Sequence, residues 1–428
     1  MYLDEIVRAQ KRGEAKGIPS ICSAHPWVLK AAMQQASEFF KNSEALLIEA
    51  TCNQVNQFGG YTSMTPMDFV RFVRRIAEEN NFSFGNIILG GDHLGPSVWQ
   101  NEPAESAMQK AEVMIRDYVK AGFVKIHLDC SMCLGDDPEG TLDIEVSAKR
   151  AAHLAKVAEL SVGAERRSAS ALRYVIGTEV PVPGGAHEHE EIVGVTNVED
   201  VEQTIQVTRE AFLRAGLASA WERVVGVVVQ PGVEFGDDFV FEYQPEKARE
   251  LSKFIEGQSM IYEAHSTDYQ TGGVLKKLVH DHFAILKVGP ALTFAFREAV
   301  FSLAMMEHEL FSKDECSNLI RVLDEVMIQH PEHWKKYYRG SEEEQLFKRK
   351  YSFSDRLRYY WRYPQVQSTL EKLLGNLSEK SVPLSLLSQF APIQLERIGR
   401  NKITCKPEEI ILDHIQTVLQ NYQAACIE

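Results

Sequence analysis

Cysteine is sparse: seven in 428 residues, an odd number scattered from Cys22 to Cys426. That excludes a disulfide framework and points to a reducing cytoplasm. Cys130-Ser131-Met132-Cys133 is a lone C-x-x-C, without the second pair of a zinc ribbon or a thioredoxin-like setting. No apolar run approaches the ~18 residues a membrane-spanning helix needs. The first ten residues are charged and amphipathic and lack the apolar centre of a signal peptide. Excess positive charge is also missing. Lys and Arg number 46 against 60 Asp and Glu, giving a formal net charge of -14. A nucleic-acid surface would need a basic stripe, whereas one local basic pocket can still hold an anionic substrate. Two nucleotide signatures are absent as well. No G-x-x-x-x-G-K-[ST] occurs, because Gly90 to Gly95 lacks the Lys-Ser/Thr that would make it a P-loop. No G-x-G-x-x-G follows the first strand, where His25-Pro26-Trp27 stands instead, and this disfavours a doubly wound dinucleotide fold.

What remains is an ordinary globular composition, 44% hydrophobic and 25% charged, in a chain long enough for a large barrel and an extension. Short apolar strands alternate with amphipathic helices over the first three quarters. The strand candidates are residues 21–25, 46–51, 87–93, 125–129, 174–180, 224–230, 260–265 and 283–288. Helical patterns fill 67–79, 104–121, 142–160, 198–215, 245–255, 273–280 and 290–310, several of them opened by proline. Eight βα units predict an α/β fold, a TIM (β/α)8 barrel over residues 1–315. From about Lys313 the alternation stops. Residues 316–428 read as a helical C-terminal extension packed on the barrel, with dense aromatic and basic clusters around 333–338 and 351–361.

The stretch Gly90-Gly91-Asp92-His93-Leu94-Gly95-Pro96 organises the site. Its glycines permit a tight turn and a close approach to a ligand. In a βα barrel the chemistry sits at the C-terminal ends of the strands. Here those ends offer His25, Glu49, Asp92 with His93, Asp129, Glu179, Gln230 with Glu234 beyond it, Glu263 with His265, and Lys287. Ionisable or amide groups at every strand end predict an active site. His93 and His265 are the first candidates for ligands to a divalent metal, zinc or a similar ion, and a third ligand comes from Gln230, Glu234, Glu179 or His25. Asp92, Asp129 and Glu179 are the candidates for proton transfer. A metal with a neighbouring carboxylate is the equipment for aldol chemistry on a ketose. Phosphate has a candidate seat in the turn Lys287-Val288-Gly289-Pro290-Ala291-Leu292-Thr293, with Ser266 adding a hydroxyl. His25 and Glu49 complete that substrate set, and Arg356 reaches in from the extension as an oxyanion ligand.

Long motifs then resemble one family. They include Cys22-Ser23-Ala24-His25-Pro26, Asn53-Gln54-Val55-Asn56-Gln57-Phe58-Gly59-Gly60-Tyr61-Thr62, Lys125-Ile126-His127-Leu128-Asp129, Val229-Gln230-Pro231-Gly232-Val233-Glu234-Phe235 and Tyr262-Glu263-Ala264-His265-Ser266-Thr267-Asp268-Tyr269-Gln270-Thr271. Over nearly its whole length the chain resembles the GatZ/KbaZ family, the Z-type subunits associated with class II D-tagatose-1,6-bisphosphate aldolase in galactitol and N-acetylgalactosamine catabolism. The resemblance implies either a non-catalytic partner that stabilises the catalytic aldolase subunit or, in older naming, a tagatose-6-phosphate kinase; relatives are also described as ketose C4-epimerases. More distantly the chain resembles the class II aldolases, whose Asp-His pair of proton donor and zinc ligand is matched by Asp92 and His93. Their later strand-end His ligand is matched by His265. At Gln230 the chain departs from them, since they carry another His ligand there. The expectation is a metal-dependent epimerase acting on a phosphorylated ketohexose (tagatose 6-phosphate and fructose 6-phosphate). The partner aldolase subunit is the alternative role, and homo-oligomerisation is left open.

Overall fold

Strands covered by helices on one side and filled on the other are buried on both faces, and they read as continuous apolar runs. The computed structural model describes residues 1–40, 44–163, 172–177 and 193–427. Eight parallel strands close into a barrel: β1 (Ile18–Ile21), β2 (Leu46–Thr51), β3 (Ile87–Leu94), β4 (Lys125–Leu128), β5 (Arg173–Ile176), β6 (Val224–Val228), β9 (Ile261–Ala264) and β10 (Phe283–Val288). A two-stranded hairpin, β7 (Glu234–Phe235) with β8 (Val240–Phe241), follows β6. The outer coat comprises α2 (Pro26–Phe39), α3 (Pro66–Glu79), α4 (Ala104–Ala121), α5 (Ile144–Ser161), α6 (Val198–Arg214), the short α7 (Ala218–Trp221), α8 (Pro245–Glu256), α9 (Gly272–His280) and α10 (Pro290–Leu310). The architecture is a TIM barrel, as expected.

Local chemistry sets the boundaries. Thr65 caps α3 by accepting the Asp68 N–H while Asp68 reaches back to the Thr65 N–H, a reciprocal capping box with proline at the first helical position. Gly122 ends α4 in the left-handed region at φ 115°.

Side chains alternate along each strand, so the barrel interior is stacked in layers. The lowest layer is apolar: Ile18, Leu47, Ile88, Ile261 and Ile285 cluster with Leu3 and Ile6 of α1 (Tyr2–Lys11), which stops the bottom of the barrel. The next layer up is polar and ionic, with Ser20, Glu49, Lys125, Glu263 and Lys287 all buried. The next step up reaches the candidate site.

The first strand differs from expectation. It runs Ile18–Ile21 rather than 21–25, because Pro19 sits within the strand, and Cys22 to His25 form the loop that leads into α2. Helix α2 itself was not among the expected helices.

Beyond Leu310 the chain is helical, as expected, with α11 (Leu319–Gln329), α12 (Glu342–Tyr351), α13 (Pro364–Glu379), α14 (Leu384–Phe390), α15 (Pro392–Gly399) and α16 (Pro407–Cys426). Helix α16 packs against α2, α9 and α10, inside the barrel's own coat. No helix among the described residues is long and apolar enough to cross a membrane.

Candidate active site at the carboxyl ends of the strands

A bulge in β3 aims the central pair. The β3–β4 register shifts between Gly91 and Leu94, and His93 takes a left-handed backbone at φ 50°. A non-glycine residue there is strained by about 1–3 kcal/mol, and bulges beside active sites re-aim side chains. Here the irregularity turns both Asp92 and His93 into the cavity. Ser266, which follows His265, is left-handed as well, at φ 53°.

The neighbouring glycines serve packing rather than a turn. A Cβ on Gly90 would lie 2.6 Å from Glu49 Cγ, and one on Gly95 would lie 1.7 Å from the Asp129 carbonyl oxygen. Neither residue has a positive φ. Gly90 makes room for the buried carboxylate beside it, and Gly95 lets the chain press against the strand end that carries Asp129. The expected close approach to a ligand is replaced by a close approach to the protein itself.

Within this frame the ionic layer and the site form one network. Lys125 Nζ stands 2.7 Å from Glu49 Oε1 and 2.7 Å from Glu263 Oε2. Lys287 Nζ stands 3.0 Å from Glu49 Oε2 and 3.0 Å from Asp92 Oδ1. Ser20 Oγ donates to Glu49 Oε1 at 2.7 Å. His93 Nδ1 meets Asp129 Oδ2 at 2.9 Å, while Asp129 Oδ1 accepts from the Ser131 hydroxyl at 2.6 Å and its N–H at 3.1 Å. His265 Nε2 meets Glu263 Oε1 at 3.0 Å. All these acids, amines and imidazoles are at most 5% exposed.

Burial alone would lower the pKa of His93, but the carboxylates of Asp92 and Asp129 outweigh it and raise it. Burial likewise works against the charge of Asp92, and His93 with Lys287 reverses that, holding the acid well below the usual range. Asp129 is lowered against its burial by His93. His265 goes the other way, depressed by burial to about 4, so it is a neutral imidazole.

Four carboxylates (Glu49, Asp92, Asp129, Glu263) thus face two ammonium groups (Lys125, Lys287). Two negative charges stay uncompensated with neutral imidazoles, and one when His93 carries a proton.

That deficit suits a cation, and the donors suit a metal. Asp92, His127, Glu263 and His265 can each place one ligand atom within 4.8 Å of the others. His127 Nδ1 lies 2.9 Å from Asp92 Oδ1 and 4.0 Å from Glu263 Oε1, and it accepts the His93 backbone N–H at 3.2 Å. Nε2 of His127 is buried with no hydrogen-bond partner among the described residues. Two imidazole nitrogens and two carboxylate oxygens fit a divalent ion of the zinc type.

The expected ligands sort as follows. His265 belongs to the four-donor group, and His93 stands beside it, with ring centroids 4.8 Å apart. Gln230 does not join them. Strand β6 stops at Val228, and the Gln230 side chain turns back to accept the N–H groups of Gly232 at 2.8 Å and Val233 at 3.0 Å. Glu234 begins the β7 hairpin, buried, with its Oε1 accepting the Phe235 N–H, and it is no part of the group. Glu179 lies outside the described residues. His127 and Glu263 were not singled out as ligands, although each stands on a strand two residues before a chosen residue that follows the strand's end, His127 before Asp129 and Glu263 before His265.

The substrate set separates as well. His25, Ser266, Lys287, Gly289, Thr293 and Arg356 all line one cavity of about 1120 Å³ with Asp92, His93, Asp129 and His265. Glu49 lies beneath its floor, fully buried, as the counter-charge to Lys125 and Lys287. His25 opens α2 with its ring 4.4 Å from that of Phe296, and burial depresses it to about 3. The expected phosphate turn is already engaged. Asp268 Oδ1 accepts the N–H groups of Gly289 at 3.0 Å and Ala291 at 2.8 Å, and the Thr293 hydroxyl donates to Asp355.

Several solved structures are similar to this chain. A crystal structure of a probable tagatose 6 phosphate kinase from Sinorhizobium meliloti 1021 is 46% identical, with a TM-score of 0.87, covering 96% of this chain and 100% of that one. The fructose-bisphosphate aldolase of Campylobacter jejuni is 12% identical with a TM-score of 0.44, covering 88% of this chain and 92% of that one. The YdjI aldolase of Escherichia coli K12 is also 12% identical, with a TM-score of 0.42 over 89% and 98% of the two chains. A family model described as D-tagatose-1,6-bisphosphate aldolase subunit GatZ/KbaZ-like matches residues 3–427, and the chain therefore belongs to the GatZ/KbaZ-like family.

Proposed function

We propose that this chain is a metal-dependent enzyme that interconverts tagatose 6-phosphate and fructose 6-phosphate at C4 by retro-aldol cleavage and re-addition, in a reducing cytoplasm. The observation that carries the reading is the charged layer opening into the cavity floor. Buried ions cost several kcal/mol each unless paired, and this set is left with net negative charge. A subunit that only supported another protein would have no need of it.

When bound by Asp92, His127, Glu263 and His265, with His93 alongside, a divalent ion would polarise the ketose carbonyl and hydroxyl oxygens. The chain's own residues do the remainder. A carboxylate takes the proton from the C4 hydroxyl, either Asp92 through an oxygen left free of the ion or Glu179. The C3–C4 bond breaks, its electron pair moving toward the C2 carbonyl, and an aldehyde forms at C4. Re-addition to the other face of that aldehyde reforms the bond, and the same proton returns to the C4 oxygen, so no atom or electron is gained or lost. Asp129 holds His93 in one tautomer and orientation, and Lys287 keeps Asp92 ionised.

The test is to incubate metal-loaded protein with fructose 6-phosphate and look for the tagatose isomer. Absence of turnover with zinc, manganese, cobalt and magnesium alike would sink the reading.

A second reading is that the chain supports a catalytic aldolase subunit. Its specific support is apolar surface on the extension, where Ile328 of α11 and Phe347 of α12 are 54% and 56% exposed. This reading expects His93→Ala to leave the partner aldolase's activity intact and charged residues at Ile328 and Phe347 to abolish the effect. Phosphoryl transfer from a nucleotide has the least support, because the Gly90 to Gly95 glycines pack against Glu49 and Asp129 rather than cradle phosphates.

A further inference from the structure

The cavity has two walls of opposite chemistry. On the barrel side it is lined by Asp92, Asp129 and Asp268 against the single ammonium of Lys287. On the extension side it is lined by Lys336, Arg356, Arg358 and Arg362, with Glu332 as the carboxylate among them. An anionic group entering this space is repelled by the first wall and drawn to the second.

The opening turn of α10 would ordinarily be the anion seat of such a barrel, since it offers backbone donors after the last strand. Asp268 fills it. Its Oδ1 takes both available N–H groups, those of Gly289 and Ala291, and the residue is 3% exposed. A phosphoryl group there would have to displace a carboxylate of this chain and then sit against it. Burial pushes Asp268 up to about 6, so near neutral pH it still carries negative charge.

The extension wall, by contrast, holds donors in waiting. Arg356 is 4% exposed, its guanidinium lies over the Tyr337 ring, and its Nη1 donates to the His333 carbonyl at 3.1 Å. Its Nε has no partner among the described residues, and neither does Trp361 Nε1, on a residue that lines the same cavity. A buried donor without an acceptor costs about 1–3 kcal/mol, which a ligand oxygen would recover. Arg362 is exposed and donates to Ser63 Oγ at 3.1 Å, and Lys336 is exposed too, so both can turn toward an anion. Arg358 is committed to the carbonyls of Ser354 and Asp355 and to the Tyr359 hydroxyl.

We propose that the cavity accepts a ligand carrying one phosphoryl group, held on the extension wall by Arg356 with Arg362 and Lys336, and that Asp268 excludes a second phosphoryl group from the opening turn of α10. The proposal rests on the sugar-phosphate reading above and adds to it which residues choose between a monophosphate and a bisphosphate.

The experiment is calorimetric titration of the purified full chain with fructose 6-phosphate, fructose 1,6-bisphosphate and fructose. Binding is read without turnover, so a protein that binds as described yet forms no tagatose isomer refutes the reaction and leaves this inference standing. The expected order is fructose 6-phosphate tightest, by tenfold or more over either of the others. Arg362→Ala, on an exposed residue that the fold does not need, weakens fructose 6-phosphate at least fivefold and leaves fructose unchanged. Arg356→Lys, which keeps the charge and loses the planar donor set, does the same. Asp268→Asn narrows the gap between monophosphate and bisphosphate. Equal affinity for the two phosphates in the parent, no binding of either, or unaltered fructose 6-phosphate affinity in both arginine variants overturns the proposal.

Discussion

Replacing Lys125 by methionine deletes one charge from the barrel interior while keeping most of the side chain's volume. The amine is fully buried, 2.7 Å from a carboxylate oxygen of each of Glu49 and Glu263. Burial would depress its pKa, yet Glu263 and Glu49 together raise it above the ordinary value, so the folded protein holds it charged. Breaking a buried pair costs about 3–5 kcal/mol, because a charge is left behind without its partner. Lys287, 3.0 Å from Glu49 and 3.9 Å from Glu263, retains part of the compensation, which places the expected loss near the lower bound, about 3 kcal/mol. At about 2.1 cal/mol/K of unfolding entropy per residue, a chain of this length has roughly 0.9 kcal/mol/K, and the midpoint falls by about 3–4 °C. The deficit also depends on pH. Stranded carboxylates take up protons more readily, so the variant's folded state binds a proton that the unfolded chain has released. Its disadvantage therefore shrinks as pH drops from 7.5 to 5.5. Pairing Lys125→Met with Glu263→Gln removes the stranded charge and restores most of the loss. Urea unfolding followed by circular dichroism, with calorimetric Tm at both pH values, measures all three effects. A single variant within about 0.5 kcal/mol of the parent at pH 7.5, inside the range of ordinary surface substitutions, refutes the account of this layer.

Two further expectations concern the carboxylates around the cavity. Asp129→Asn removes the negative charge that fixes His93 and, with its one remaining oxygen held by Ser131, turns an NH2 toward the ring, and zinc affinity measured against a fluorescent competitor drops about 10–100-fold, as is typical when such a partner is lost; unchanged affinity contradicts the arrangement. Asp355 is pushed up to about 7 by burial and sits at φ 45°, a conformation asparagine tolerates. Its raised pKa means that the folded state keeps a proton the unfolded chain releases, so its contribution to stability grows as pH falls through 7. Relative to Asp355→Asn, the parent therefore gains about 2–3 kcal/mol between pH 8 and pH 5. A difference between the two that is independent of pH argues against a buried, titrating Asp355.

The barrel was legible because its strands are apolar on both faces and its helices carry caps such as Thr65 with Asp68. β1 shifted because Pro19, a residue that usually argues against a strand interior, lies within it. That Asp92, His93, Asp129 and His265 share one cavity was legible because a strand end is a place one can count to. His127 escaped because a residue two places short of a strand end faces the same interior, and the alternation that would have revealed it was read only at its last term. Gln230 misled for the opposite reason. Its strand stops early, and an amide can cap a turn as readily as it can hold a ligand. Asp268 has no local signature, because the N–H groups it holds lie 21 and 23 residues away along the chain, whereas Arg356 was legible in the aromatic and basic cluster of 351–361.

Helix α16 gives the site a history in time. Tyr422 donates to the carbonyl of Thr267 at 2.6 Å, and the Thr267 hydroxyl in turn donates to the carbonyl of Lys287. At the other end of the barrel the carbonyl of Cys426 accepts the Gly17 N–H, just ahead of β1. The segment that steadies the loop after His265 is thus made roughly 390 residues after the strand it also touches. At about 5–20 residues per second, the early strands wait about 20–80 s on the ribosome for it. Until then β1 and β10 can pair, but the loop between His265 and Lys287 lacks its brace. During synthesis the cavity's chemistry is the last feature to mature, and a nascent chain gathers its acids and imidazoles well before it can hold them in place.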